Sequence, residues 1–369
     1  MANKLIVQAL WYEPTTEFLN VAYNAGFLRN FLTFAKSVLS RDDNVIDVLK
    51  CATSRDRVAF CVFNNEINSA KKNKNIVNLN IELILKQKSL GFLLSFLGWK
   101  EVVKASVSFI LNSIRCYGIK GMKFFAHPLL AYLLYIFLKK NFEKRKPACV
   151  IVFNLVHPLS VAVAKAAKES GVAVEYCEHA ATTRMMLNNI NEYKKLWVRH
   201  SHTKEMLVHN GVPPSNIEAF CPALTKTPIP NVVNRLGVCI NDLDRLEDIL
   251  SLAHYLSNKN VSVRYRIHDA DKRYGKLKNN LTALGHTVES ARSSSIANYF
   301  ESINLLIAGN SNVIGDAIEH AIPVIYIWFG DARLNDYYGY VIAYNLECAY
   351  STSNLLGLLD NMILKSSKI

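Results

Sequence analysis

The common chemical signatures are scarce in this sequence. No GxGxxG follows a strand-like run, which disfavours NAD binding by the usual fingerprint. No GxxxxGK[ST] occurs, so the chain is not a P-loop enzyme, and no GxSxG elbow offers a hydrolase serine. Glycine (15) and proline (10) are ordinary in number for 369 residues, which excludes collagen-like and linker-dominated chains. None of the eight cysteines stands in CxxC spacing, and no Cys/His cluster has ligand spacing, so no zinc is expected. Five cysteines sit in apolar runs such as VAFCVF, ACVIVF and GVCI, the pattern of buried thiols in a reducing compartment. Long hydrophobic runs are missing too. The most apolar stretch, Phe124 to Phe137, has 14 residues with His127 and Pro128 inside, too short for a bilayer. The start, MANKLIVQALWYEP, lacks a signal peptide's longer core and cleavage site. A cytoplasmic location is expected.

Half of the residues are hydrophobic and a fifth are charged, a globular composition at a length that suggests two domains. Lys plus Arg outnumber Asp plus Glu by 43 to 30, a net charge of +13. Such a surplus favours an anionic partner. Nucleic acid is not expected, because the lysines cluster in helices rich in Leu and Phe and no recognition-helix or RNP-like pattern occurs. Residues 86–146 alternate apolar helices with lysines, as in KQKSLGFLLSFLGWKEVVK and LKKNFEKRKP. Two readings compete for this segment: an interfacial surface on anionic lipid, or helices packing on a sheet with snorkelling lysines.

Strand-like and helix-like runs alternate along the chain. LGVCI, VSVRYRI, INLLIAG and IPVIYIW read as strands, with helical periods between them, the first beginning near Asp242. The first half repeats the rhythm with LIVQALW, VIDVLKCA, VAFCVFN, ACVIVFN, VAVEYC and KKLWVRH. This alternation implies parallel pairing, an α/β fold of two Rossmann-like domains. Three of the ten prolines fall in CPALTKTPIPNVVN, where repeated proline disfavours helix and sheet. The expected division is therefore residues 1–222, a linker at 223–234, and residues 235–369. Ligands of open parallel sheets bind beyond the carboxyl ends of the strands, so the loops after VEYC, RYRI, LLIAG and VIYIW are the ones to read.

In GNSNVIGDAIEHAIPV, a strand ends at Gly309 and a helix follows Asn310, Ser311 and Asn312. A helix start suits phosphate, although Ser or Asn there is also ordinary capping. Asp316 precedes Pro323 by seven residues. This segment resembles the carboxyl-terminal nucleotide site of GT-B glycosyltransferases and the related sugar-nucleotide 2-epimerases. The resemblance implies that Asp316 holds the ribose, with Glu319 the competing carboxylate. Glu178-His179-Ala180, after VAVEYC, puts a carboxylate and an imidazole where either could deprotonate a hydroxyl. It resembles the base loops of Kdo, bacterial sialyl and teichoic-acid polyol-phosphate transferases. RYRIHD, ending at His268 and Asp269, resembles their strand-His-Pro motif, whose His contacts the donor phosphate or nucleotide.

The resemblance covers residues 148–345 and implies a GT-B fold with two domains facing a cleft. It also implies metal-independent sugar transfer with no cofactor, and no Asp-x-Asp triplet stands in a convincing position for a metal. The expected donor is a nucleotide sugar, CMP-linked in preference to UDP-linked, bound by His268, Gly309, Asn310, Ser311, Asn312 and Asp316. Glu178 or His179 is the expected base, and the first domain would choose a glycan or lipid-linked acceptor of lipopolysaccharide or capsule. An anionic membrane at the inner face of the cytoplasmic membrane is the further partner. The alternatives are a 2-epimerase on the same scaffold and a non-catalytic basic protein binding membrane or nucleic acid.

Overall fold

A computed structural model describes residues 53–61, 66, 70, 81–84, 92–117, 126–155, 157–179, 193–221, 225–240, 244–259, 261–268, 271–328 and 335–366. The early runs LIVQALW and VIDVLKCA lie outside them. The chain divides into two compact units, the first ending at Cys221 and the second running from Pro222 to Ile369 and including His200–His202.

The first unit comprises β1 (Arg57–Cys61), β2 (Ile81–Ile84), α1 (Phe92–Tyr117), α2 (Ala126–Lys144), β3 (Cys149–Val152), α3 (Pro158–Glu169), β4 (Ala173–Cys177), β5 (Lys195–Val198), α4 (Ser201–His209) and β6 (Ile217–Ala219). Its strands form one sheet in the order β2-β1-β3-β4-β5-β6, with every pair parallel. β3 is CVIV, buried at all four positions. A parallel strand covered on both faces has no polar side to show, so it reads as a continuous apolar run. α2 is apolar on every face, from Leu129 to Leu138 almost wholly buried, and it packs along α3. Ala162, Ala166 and Ala167 are fully buried on α3, and their small side chains permit that close approach. One carboxylate is buried within the sheet. Glu175 accepts from Arg57 Nη2 and from Trp197 Nε1, both at 2.6 Å, which offsets the cost of desolvating its charge.

α1 kinks at Gly98, whose φ is 75°. Beyond the kink, Val102, Ala105 and Phe109 are buried. On the other side, Val103, Val107 and Leu111 are 54%, 51% and 57% exposed, with Lys100 and Lys104 exposed beside them. Of the two readings of residues 86–146, packing on the sheet holds for α2, whereas α1 presents a second apolar stripe to solvent. Among the described residues, no helix is long and apolar enough to cross a membrane.

The second unit comprises β7 (Arg235–Ile240), α5 (Leu246–Ser257), β8 (Ser262–Ile267), α6 (Tyr274–Ala283), β9 (Thr287–Ser290), α7 (Ile296–Glu301), β10 (Leu305–Ala308), α8 (Val313–Glu319), β11 (Val324–Ile327), α9 (Tyr340–Tyr344), β12 (Glu347–Ala349) and α10 (Thr352–Ser366). The sheet order is β12-β11-β10-β7-β8-β9, again all parallel. The helix expected to begin near Asp242 begins instead at Leu246, and residues 241–243 lie outside the described set. Arg266, on β8, is buried yet saturated. It donates to Glu289 Oε1, Ser294 Oγ and the carbonyls of Ala291 and Ser294 at 2.5–2.9 Å. At Gly237 an added Cβ would meet Ile303 at 2.5 Å and Tyr299 at 2.6 Å, so α7 sits directly on the backbone of β7.

Among the described residues, each sheet has one place where the winding reverses. In the first, the chain leaves β1 toward β2 and leaves β3 toward β4. In the second, it leaves β7 toward β8 and leaves β10 toward β11. The connections therefore part beyond the carboxyl ends of β1 and β3, and of β7 and β10, opening the crevice in which α/β proteins bind ligands. The two-sheet α/β architecture is the one expected.

α8 ends in a Schellman motif. Ile322 N–H donates to Ala317 O at 2.8 Å and Ala321 N–H to Ile318 O at 3.1 Å, placing exposed Ala321 at a φ of 54°. Glycine ordinarily occupies this left-handed position. Ala321→Gly is expected to stabilise the second unit by about 0.5–1 kcal/mol, because strain of roughly 1–2 kcal/mol exceeds the added chain entropy of glycine. A rise in the denaturation midpoint of the second unit checks this, and an unchanged or lower midpoint contradicts it.

Candidate functional site

In the first unit the chemistry-bearing groups gather where β1, β3 and β4 end. The ladder carries on past β4, with Glu178 N–H donating to Trp197 O at 2.8 Å. The Glu178 side chain is 1% exposed. Its Oε2 accepts from Arg199 N–H at 2.5 Å and its Oε1 from Thr203 Oγ1 at 3.3 Å. Both oxygens are thus engaged where β5 turns into α4.

The next residue, His179, points its Nδ1 at the carbonyl oxygen of Phe153, just past β3. A carbonyl only accepts, so Nδ1 carries the proton and, in the neutral ring, Nε2 is left as the acceptor. His179 Nε2 lies 3.9 Å from Glu66 Oε1, with side-chain exposures of 9% and 0%. Burial pulls the imidazole below its ordinary pKa, against the opposing Phe153 hydrogen bond, and so favours the neutral ring. Beside it, the turn into α3 is capped by His157, whose Nδ1 accepts from Leu159 N–H at 3.3 Å with Pro158 opening the helix.

In the second unit the corresponding edge holds His268 and the turn after β10. His268 follows β8 and its N–H donates to Ile240 O at 3.1 Å; its side chain is exposed. Asp269 lies outside the described residues. Below it, Asp271 is paired with Arg273 at 2.7 Å, and that guanidinium also donates to Asp244 O. Burial raises the Asp271 carboxyl, but the Arg273 hydrogen bonds outweigh it and hold the group below its ordinary value.

Gly309 follows β10 where the winding reverses. A Cβ there would stand 3.0 Å from Ile327 O and 3.1 Å from Asp244 Oδ1, so the absence of a side chain keeps the edge open. The crevice beside it is lined by Cys239, Ile240, Asp244, Ile327 and Trp328. Asn310 is 7% exposed. Its Oδ1 accepts from Tyr326 Oη and from Tyr337 N–H, both at 3.0 Å, while Asp336 N–H donates to Tyr326 Oη at 2.8 Å. These bonds fasten the segment after β11 to the turn after β10. Ser311 Oγ accepts from Val313 N–H at 3.3 Å, one residue before Asn312, the N-cap of α8. Asn312 precedes α8, and Asp316, half-buried, lies in its first turn. Glu319 is 20% exposed and stands 3.6 Å from His200 Nε2, so it is not the solvated helix residue that its position suggests. His202, stacked on His200, is depressed to about 3 by burial and by that neighbour.

The second sheet thus brings His268, Gly309, Asn310, Ser311, Asn312 and Asp316 to or near one carboxyl edge, and the first brings Glu178 and His179 to another. Sequence reasoning missed Glu66, Asp244 and Trp328. Glu66 lies two residues past the run VAFCVFN, a position that gains meaning only once β1 is known to flank the reversal.

No family model and no curated protein matches the sequence. Several solved structures resemble the fold at low identity. The lipopolysaccharide outer core galactosyltransferase WaaB, in its apo form, is 13% identical over 84% of this chain and 91% of its own, with a TM-score of 0.46. MurG of Acinetobacter baumannii is 10% identical over 85% and 95%, with a TM-score of 0.48. HepE of Anabaena, in complex with UDP and glucose, is 13% identical over 85% and 91%, with a TM-score of 0.47.

Asn310→Ala removes the acceptor of two buried donors and is expected to cost about 1–3 kcal/mol. Combined with Tyr326→Phe, the loss should be less than additive, because both changes break one network. Strictly additive losses in a denaturation double-mutant cycle would show that Asn310 and Tyr326 act separately.

Proposed function

We propose that the protein is a GT-B-type glycosyltransferase. It moves a sugar from a nucleotide-sugar donor, CMP-linked in preference to UDP-linked, to a glycan or lipid-linked acceptor of a surface polysaccharide, without a metal ion or cofactor. The observation that carries this reading is His179 beside the reversal of the first sheet, with its proton fixed on Nδ1 and Nε2 left basic. In the reaction, the acceptor O–H bond breaks and its proton passes to Nε2 of His179. The freed oxygen electrons form the new bond to the anomeric carbon, while the carbon–oxygen bond to the nucleotide phosphate breaks and its electrons leave with the phosphate. Glu178 is the weaker candidate for the base, since both its oxygens already hold the β5–α4 turn.

On the donor side, exposed His268 would offset charge on the departing phosphate. Asp316 would accept the ribose hydroxyls, and Gly309 would let the nucleotide approach the backbone. Asn310 and Ser311 contribute indirectly under this reading, because their side-chain oxygens shape the turn.

The expected partner surface is the anionic inner face of the cytoplasmic membrane. The stripe of Val103, Val107 and Leu111 with Lys100 and Lys104 supports it, as apolar side chains flanked by lysines suit an interfacial helix.

Two outcomes test these assignments. His179→Ala should lower kcat by about 10²–10⁴ and leave nucleotide binding intact. In a thermal-shift panel of CMP, UDP, GDP and CDP, the preferred nucleotide at 100 times its Kd should add about 2.7 kcal/mol, lost in Asp316→Ala. A shift that survives in that variant moves the ribose site elsewhere, and product formed from a UDP-sugar without acceptor points to an epimerase. Separately, flotation with phosphatidylglycerol vesicles should recover the protein at low salt. Replacing Val103, Val107 and Leu111 by Ser should abolish recovery, whereas equal recovery of the variant would exclude this stripe as the contact.

A further inference from the structure

We propose that Tyr340 sets the ribose selectivity of the nucleotide site: it lies against Gly315 and thereby fixes where the Asp316 carboxylate stands. This deepens the nucleotide-binding reading above and rests on it. Gly315 and Asp316 are neighbours near the start of α8. A Cβ on Gly315 would stand 2.7 Å from Tyr340 Oη, 3.2 Å from Tyr340 Cζ and 3.3 Å from His200 Nε2. Gly315 is not among the left-handed glycines, so the close approach, and not a turn, calls for glycine here. The phenol meets the backbone of α8 one residue before the carboxylate.

Tyr340 has little room to withdraw. It is 3% exposed, and its ring packs against Tyr344, His202 and Tyr338 at centroid distances of 6.3, 5.1 and 6.1 Å. The helix that carries it, α9, is held from below by Asp336. One carboxylate oxygen accepts from Val341 N–H at 2.9 Å and the other from Ile342 N–H at 3.2 Å. Asp336 itself has a left-handed φ of 48° and donates its N–H to Tyr326 Oη of β11 at 2.8 Å. Contacts therefore run without a gap from β11 through Asp336 and Tyr340 to Gly315. An interior packed this closely takes up an added methyl group only by shifting its parts, and a shift at Gly315 carries Asp316 with it.

Such a shift bears on one part of a nucleotide. A site built to hydrogen-bond substrate hydroxyls rejects an analogue that lacks them. The distances over which those bonds hold span only about half an ångström, so a small movement of the carboxylate forfeits them. His268, to which the phosphate is assigned, stands on another turn, after β8. Tyr340 acts on the ribose through α8, which makes it a positioning residue.

Calorimetry on the full chain tests this by comparing the preferred nucleotide of the four above with its 2′,3′-dideoxy counterpart. In wild type the ribose form should bind about tenfold tighter, the worth of a charge-assisted hydrogen bond. Gly315→Ala should weaken the ribose form about tenfold and leave the dideoxy form unchanged, as should Asp316→Ala. Adding Tyr340→Phe to Gly315→Ala removes the atom nearest the new methyl group and should restore part of the ratio. If Gly315→Ala fails to fold, Tyr340→Leu, which takes the phenol off α8, should lower the ratio in its place. Equal weakening of both forms in these variants marks a general loss of packing and overturns the proposal, as does a ratio that stays at the wild-type value. A wild-type chain that binds a nucleotide regardless of its ribose hydroxyls also overturns it, while leaving nucleotide binding intact. A chain that binds none of the four refutes the nucleotide-binding reading and the proposal with it.

Discussion

Strand order constrains everything else in this protein. Parallel strands need crossovers, and each crossover must cover a face of the sheet. A sheet wound in both directions from one place necessarily parts its connections there. The first sheet parts between β1 and β3 and the second between β7 and β10. Side chains that elsewhere would be buried by a loop find room at these points. Glu66, the Phe153 carbonyl and His179 border the first gap, while Asp244, Gly309 and Trp328 border the second.

Within that frame, hydrogen bonding separates structural groups from chemical ones. A buried carboxylate or amide must be satisfied, and the partner that satisfies it fixes its use. Glu175 is spent on Arg57 and Trp197, Glu178 on the β5–α4 turn, and Asn310 on Tyr326 and Tyr337. Each ties an edge together from inside. His179 differs because its structural bond uses one nitrogen and thereby defines the protonation of the other. Imidazole is the side chain that can be anchored and basic at once, which is why the assignment falls on it rather than on the adjacent carboxylate.

Much of this architecture is legible in the sequence because parallel strands are apolar on both faces. CVIV, LLIA and VIYI announce themselves as short unbroken runs. β2 does not: IELI, set in NLNIELILKQK, has a charged residue within and polar residues beside it, as an outermost strand can, and β2 is outermost among the described strands. Missing it hides the reversal, since without β2 nothing shows the chain leaving β1 in one direction and β3 in the other. Glu66 is unreadable for the same reason. The motif residues His268, Gly309 and Asp316 are legible because they follow recognisable strands, but spacing says nothing of what holds them. Only coordinates reveal that the Ser311 hydroxyl accepts from the first N–H of α8 and that Asn310 braces a loop. The lysine-rich segment was ambiguous because apolar helices look alike in sequence whether their surroundings are protein or solvent.

The two candidate histidines also illustrate why burial matters to a division of labour. A proton acceptor must start neutral, and at His179 burial favours the neutral ring. A group that offsets charge on a departing phosphate gains from the opposite setting, where the side chain is open to an arriving anion. His268 stands exposed at the end of β8, and its backbone N–H donates to the Ile240 carbonyl. The two sheets thus bury these carboxyl edges to different degrees, and one residue type meets two different electrostatic settings.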